Sequence, residues 1–255
     1  MSVERAVETT IRYARKFGCS LSGEEIAERL ISKRQYRHKE VTDAAAKMGV
    51  SKKNSNKIWQ GKVGKGKWLA NYIEKKIPLV VFMGLTGSVA TKHPKQEDDV
   101  DFLIVTRRNS LWLCRLWLKF ILVKEHIPHR RYGQKEAGND FCFNLWLDEE
   151  KLSIPKNRRR LRTAVDLVLL MPLFDKASIY KRLIDENNWA ASFVATPYEK
   201  KRRMSGDIKS VESYVTILLV IFNYFVFLAQ YIYMRGKMKK GEEASIHQAF
   251  FNVKG

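Results

Sequence analysis

Hydrophobic and polar positions change period several times along the chain, and each change marks an element. Ala6, Ile11, Tyr13 and Ala14 recur at helical spacing until Gly18-Cys19-Ser20 breaks the pattern. Ser20 or Ser22 is placed to cap a second helix, with Glu24 and Glu25 in its favourable first turn and Ile26, Leu30 and Ile31 as its apolar face. A third helix is predicted over 38–48, with Val41, Ala44, Ala45 and Met48 inward and Gly49 as its stop. Residues 51–67 then hold six lysines, three glycines and no acid, and Ile58 and Trp59 read as a short strand of a basic hairpin. Three short helices and a basic hairpin outline a winged helix-turn-helix, a module that contacts nucleic acid or a protein partner.

A connecting helix over 68–76 leads to a continuous apolar run at 79–83, the pattern of a buried strand. A second buried strand is expected at 100–105 and a third at 141–147. Helices are expected over 111–123, 156–170 and 178–186, the second ending at Met171-Pro172. The alternation of strands and helices predicts an α+β fold, a mixed sheet flanked by helices. The domain reading is 1–67 winged-helix-like, 68–175 the sheet-bearing core, and 176–255 a helical C-terminal region.

Residues 214–234 run for 21 positions without a charge, long enough to span a bilayer. Thr216, Asn223 and Gln230 recur every seven residues there, a polar stripe that suits a helix packed against protein or paired with a second copy. Both a homo-oligomer contact and a membrane contact remain open for this segment. Because no apolar run follows Met1, a signal peptide is not expected and a cytoplasmic location is.

Composition bounds the partners. The chain is 45% hydrophobic, enough to bury a core, which excludes wholesale disorder. Its formal net charge of +20 favours phosphate-bearing partners: nucleic acid, nucleotides or anionic lipid. The first 76 residues concentrate that charge, with 18 Lys and Arg against 8 Asp and Glu. Cys19, Cys114 and Cys142 lie far apart with no CxxC pair, which argues against a disulfide framework or a zinc-thiolate site. His126 and His129 have no neighbouring ligand residues and read as surface or structural.

One segment carries chemistry. After the apolar strand come Thr86-Gly87-Ser88, ten residues, and then Asp99-Val100-Asp101-Phe102. Gly87 lets the backbone turn sharply and a phosphate approach closely, and Ser88 adds a hydroxyl. Helical N–H groups starting at Ser88 would face the same phosphate. Asp99 and Asp101, two apart on a strand, point to one side, where their mutual repulsion calls for a cation. Mg²⁺ or Mn²⁺ suits two carboxylates plus substrate phosphate oxygens.

This pattern of apolar strand, Gly-Ser, about ten residues and Asp-apolar-Asp-apolar resembles the signature of the nucleotidyltransferase superfamily, which includes DNA polymerase beta and the minimal nucleotidyltransferases. Met171-Pro172-Leu173 and a late Gln230-x-x-Tyr233-Met234 make the whole chain look like prokaryotic nucleotidyltransferase-domain proteins. The resemblance implies metal-dependent transfer of a nucleoside monophosphate from a nucleoside triphosphate, such as ATP, to a hydroxyl. Thr86, Gly87 and Ser88 would bind phosphate, and Asp99 and Asp101 would hold the metal.

The family often carries a third carboxylate on a later strand, where this chain has Asn144, an amide that can bind phosphate or metal but is a poor proton acceptor. Asp166 is a substitute candidate for the base, or else the partner of Arg162. Arg107 and Arg108 follow the second strand and are placed to reach triphosphate or to lie in a solvated loop. Lys92 and His93 lie in the loop over the site. The alternative to an active transferase is a catalytically reduced nucleotide-binding protein.

Overall fold

The structure is a computed structural model, and it describes residues 1–50, 56–131, 140–204 and 217–251. In chain order the main elements are α1 (Val3–Arg15), α2 (Gly23–Ala27), α3 (His38–Lys47), α4 (Lys57–Lys76), β1 (Val80–Leu85), α5 (Gly87–Ala90), β2 (Val100–Thr106) and α6 (Leu111–Lys124). They continue with β3 (Phe141–Asp148), α7 (Leu161–Leu169), β4 (Met171–Asp175), α8 (Ile179–Glu186), α9 (Ala191–Met204), α10 (Ile217–Arg235), β5 (Glu243–Ala244) and β6 (Gln248–Phe250). The chain divides into two units, each made of three sequence pieces.

The helical unit comprises Met1–Lys57, Ser153–Leu170 and Lys181–Asp207. Its first three helices close on Ala6, Val7, Ile26, Leu30, Val41 and Ala45. The second is fixed by the capping box expected from its sequence: Ser22 Oγ accepts from Glu25 N at 3.3 Å, and Glu25 Oε2 accepts from Ser22 N at 2.9 Å. Thr10 rather than Ile11 sits on the buried stripe of α1, because its hydroxyl bonds twice, donating to Ala6 O and accepting from Ile31 N.

The sheet unit comprises Ile58–Leu152, Met171–Tyr180 and Ile208–Gly255. Its six strands lie in the order β4-β1-β2-β3-β6-β5. Only β2 and β3 run parallel, and α6 makes their crossover. The other pairs are antiparallel, so the sheet is mixed and the fold is α+β, as expected. β1 and β2 are buried almost throughout because α4 covers them with Leu69 and Ile73, and α6 with Leu111 and Leu118.

Three expectations are corrected. Ile58 and Trp59 lie in the first turn of α4, not in a strand, and α4 runs on to Lys76. Three glycines weaken that helix locally, yet Val63, Leu69, Ala70 and Ile73 bury against the sheet and outweigh propensity. Gly66 is used for close packing, since a Cβ there would sit 2.8 Å from Leu85 Cδ2. Residues 51–55 of the expected hairpin lie outside the described residues. Second, Met171-Pro172 opens the edge strand β4 instead of closing a helix; Pro172 costs nothing there because β4 pairs on one side only. Third, α7 starts at Leu161, after a 3-10 turn at Lys156–Arg158.

The polar stripe of the last helix behaves as its sevenfold spacing implies. Asn223 Oδ1 accepts from the backbone N–H of Trp112 and Leu113, at 3.0 and 3.2 Å, and so caps α6 from outside. Gln230 Nε2 donates to Trp112 O, and Gln230 Oε1 accepts from Arg115. Residues 214–216, including Thr216, lie outside the described residues. α10 is the one helix among the described residues long and apolar enough to cross a membrane.

Candidate functional site

The site lies where β1 ends and β2 begins. β1 and β2 are antiparallel, with Leu85 opposite Phe102, and Thr86 N donates to Asp101 O at 2.9 Å. The turn after β1 is therefore pinned beside the first residues of β2. Gly87 follows with φ +62°, in the left-handed region. A Cβ there would collide with the Asp101 carboxylate and lie 3.1 Å from its Cγ. Both the backbone angle and the close approach require glycine. α5 starts at Gly87, one residue earlier than expected, with Thr86 at its N-cap. Its first intrahelical bond runs from Ala90 N to Thr86 O, so the N–H groups of Gly87, Ser88 and Val89 precede the ladder.

Asp99 stands just ahead of β2 and Asp101 within it, on the same side of the strand. The Asp99 side chain is almost fully buried, and Arg130 Nη1 lies 3.3 Å from its Oδ2. Asp101 Oδ1 accepts from Asn144 Nδ2 at 2.6 Å. Asn144 Oδ1 accepts in turn from the Cys142 thiol at 2.9 Å. β3 brings these groups together by register, with Asp101 opposite Cys142 and Asn144 two residues on. Burial raises the Cys142 thiol pKa, and the neighbouring Asp101 adds to the rise, in keeping with a thiol that donates to Asn144.

Two further residues were not legible as site residues in the sequence. Arg130 reaches Asp99 because residues 128–130 add a stub to β3: Phe141 N donates to Pro128 O, and Arg130 N to Phe141 O. Lys62 of α4 is buried; its Nζ donates to Gln96 O at 3.2 Å and Asp98 O at 2.6 Å, holding the loop that delivers Asp99. Burial lowers the Lys62 pKa. α4 also fixes the other wall, where Trp59 Nε1 donates to Val89 O. A basic, glycine-bearing stretch that reads as a surface hairpin is thus the scaffold under the site.

Thr86, Gly87, Ser88, Asp99, Asp101 and Asn144 are brought together. Arg107 is not. It follows β2 at its other end, roughly 20 Å of extended strand from Asp101, and its Nη1 pairs with Glu149 at 3.1 Å. Arg108 pairs with Glu150 there. Asp166 belongs to the helical unit, where Arg162 lies 3.9 Å away and Tyr13 is close enough for its hydroxyl to be raised to about 12, by burial first and then by Asp166. Lys92 and His93 close the α5 turn, His93 N donating to Ser88 O. His126 is exposed, and His129 Nδ1 bonds Ile127 O.

A second acidic group, Asp148, Glu150 and His247, has ligand atoms within 4.8 Å of one another. It lies at the Arg107 end of the sheet. Asp148 there accepts from Asn109 N at 2.6 Å and Glu150 N at 3.0 Å, the bonds of a loop anchor. Compared with known proteins, the chain matches no family model, no curated protein and no solved structure.

Proposed function

We propose that the sheet unit is a nucleotidyltransferase-type domain that moves a nucleoside monophosphate from a nucleoside triphosphate to a hydroxyl acceptor. The observation that carries this reading is the packing of the Gly87 turn directly on the Asp101 carboxylate, which puts a phosphate cradle against a same-side acid pair. Asp99 and Asp101 would hold Mg²⁺ or Mn²⁺, which supplies charge neutralisation at the transferring phosphoryl group. The donor set fits such an ion: two carboxylates from one strand, with the Asn144 amide beside them. Arg130 next to Asp99 and Asn144 in place of an acid leave the cluster two negative charges and one positive, which suits one divalent ion better than two.

The chain's own residues do the rest. The Gly87, Ser88 and Val89 N–H groups and the Ser88 hydroxyl orient the triphosphate. Lys62 and Trp59 hold the two walls at fixed separation. The acceptor oxygen bonds to the α-phosphorus, the α–β bridging bond breaks, pyrophosphate leaves, and the hydroxyl proton passes to solvent or to a carboxylate of the pair. Purified chain given an α-labelled nucleoside triphosphate and Mg²⁺ should release pyrophosphate and retain label on an acceptor, and Asp99→Ala should abolish both. Absence of transfer with all four ribonucleotides and both metals, together with unchanged nucleotide binding in Asp99→Ala, would sink the reading.

A second reading is nucleotide binding without turnover, favoured by the Asn144–Asp101 bond where an acid would add a third charge. In that case the basic helical unit would contact nucleic acid or a protein partner through its first three helices. Nucleotide-dependent, salt-sensitive DNA binding with no pyrophosphate release distinguishes it.

A further inference from the structure

A cavity of about 270 Å³ opens beside the acid pair, with Cys142 and Asn144 in its wall. Six cations line it, Arg115, Lys119, Arg130, Arg131, Lys237 and Lys239, with one carboxylate, Glu242, in the lining and Arg130 also paired with Asp99. Phe143, Trp146 and Phe251 give it an aromatic floor. Arg115 is fixed there by Gln230 at 2.6 Å and by the Phe251 ring, 4.6 Å from its guanidinium. Lys119 stands one turn further along α6. Burial and the Arg115 charge push its ammonium down to about 8. A wall in which cations outnumber carboxylates carries a positive field that attracts an anion.

The same two helices leave apolar surface uncovered. On α6, Trp117 is 52% exposed and Phe120 56%. On α10, Phe222 is 64% exposed and Phe225 62%. Val123 and Tyr233 belong both to this exposed set and to the cavity lining, so the apolar surface reaches the cavity. The chain leaves α10 through Arg235, Lys237, Lys239 and Lys240. Asn223 and Gln230 hold α10 along α6, on the folded unit. An apolar, aromatic-rich helix held on a protein surface beside a basic cluster suits the interface of an anionic bilayer. A second copy suits it less, because a twofold contact would press one basic cluster toward another.

We propose that the cavity receives the phosphate headgroup of an anionic lipid, and that the exposed faces of α6 and α10 rest on the membrane that presents it. The proposal stands without nucleotidyl transfer; if transfer also occurs, it makes the acceptor a lipid-borne hydroxyl held next to Asn144.

The test uses the full chain, without nucleotide or metal, and vesicles of phosphatidylcholine alone or mixed with phosphatidic acid. Co-sedimentation should show at least about tenfold tighter binding to the mixed vesicles, and Lys119→Glu should weaken that binding about tenfold. Phe120→Asp combined with Phe225→Asp should remove binding to both vesicle types. Lys119→Gln, with unchanged circular dichroism, should give a smaller loss in the same direction, which separates charge from misfolding. Equal binding to the two vesicle types overturns the proposal, as does indifference to Lys119→Glu. Saturation of the cavity by glycerol phosphate without any vesicle binding makes the source a soluble phosphate and overturns the lipid. A stable dimer that no longer binds lipid assigns the faces to a second copy. Since nucleotide is absent throughout, none of these results bears on whether transfer occurs.

Discussion

The two ends of the central strands carry similar residues and use them differently. At one end of β2 and β3, Asp148, Glu149 and Glu150 meet Arg107, Arg108, His247 and the backbone of the loop before α6. At the other end, Asp99 and Asp101 face a glycine turn, one arginine and one amide. Asp148 takes two backbone N–H groups, Glu150's from its own loop and Asn109's from the loop before α6, and burial raises its carboxyl pKa. The Asp148 carboxylate is taken up by backbone N–H groups, whereas the Asp101 carboxylate lies against the glycine turn and accepts from a side-chain amide. The comparison shows why carboxylates alone do not mark a site: the Gly87 turn distinguishes the two ends.

Substitutions at the two ends should separate their roles. Asp101→Asn should leave the melting temperature nearly unchanged while lowering the proposed nucleotidyl transfer by about 10³-fold, measured as pyrophosphate release. Asp148→Ala should do the reverse. Losing the bonds to the Asn109 and Glu150 N–H groups should cost roughly 1–3 kcal/mol in urea unfolding, with any transfer per folded molecule retained. If Asp148→Ala abolishes transfer in the folded fraction, the two ends are not separate in role.

Gly87→Ala lies between these effects. A left-handed alanine costs about 1–2 kcal/mol, and the added methyl displaces the Asp101 carboxylate, so both stability and transfer should fall. Asn144→Asp tests the missing acid: Mn²⁺ affinity by calorimetry should tighten about tenfold. No tightening would mean that the Asn144 position does not face the ion.

The smallest effect concerns Lys119. Its folded pKa of about 8 lies below the unfolded value near 10.4, so its charge destabilises the fold fully below about pH 8 and ceases to do so as pH rises toward 10.4. Lys119→Met should therefore raise the melting temperature at pH 7 by roughly 2 °C, and the gain should vanish in alkaline buffer.

Much of the sheet unit was legible because its signals are local. Apolar runs marked β1, β2 and β3, and the Gly87 and Asp99/Asp101 spacing marked residues that the fold brings together. The residues that escaped reading act through contacts distant in sequence. Lys62 looks like any surface lysine, yet it lies 36 residues from Asp98, whose carbonyl it holds. Arg130 reaches Asp99 only because a stub pairs with β3. Arg107 lies away from Asp101 because adjacency in sequence to β2 says nothing about which end of that strand a residue follows.

Local sequence was enough for β1, β2 and β3, the capping box at Ser22, the glycine that φ +62° demands, and the spacing of Asp99 and Asp101, because each depends on residues a few positions apart. Tertiary structure decided that the glycine-bearing stretch after residue 56 is a helix, since burial of Val63, Leu69 and Ile73 against the sheet outweighs local propensity. It decided that Pro172 begins an edge strand, that Asn223 caps a helix 111 residues away, and that six cations meet around one cavity. Such groupings arise when separate elements pack, and local sequence holds no record of which elements meet.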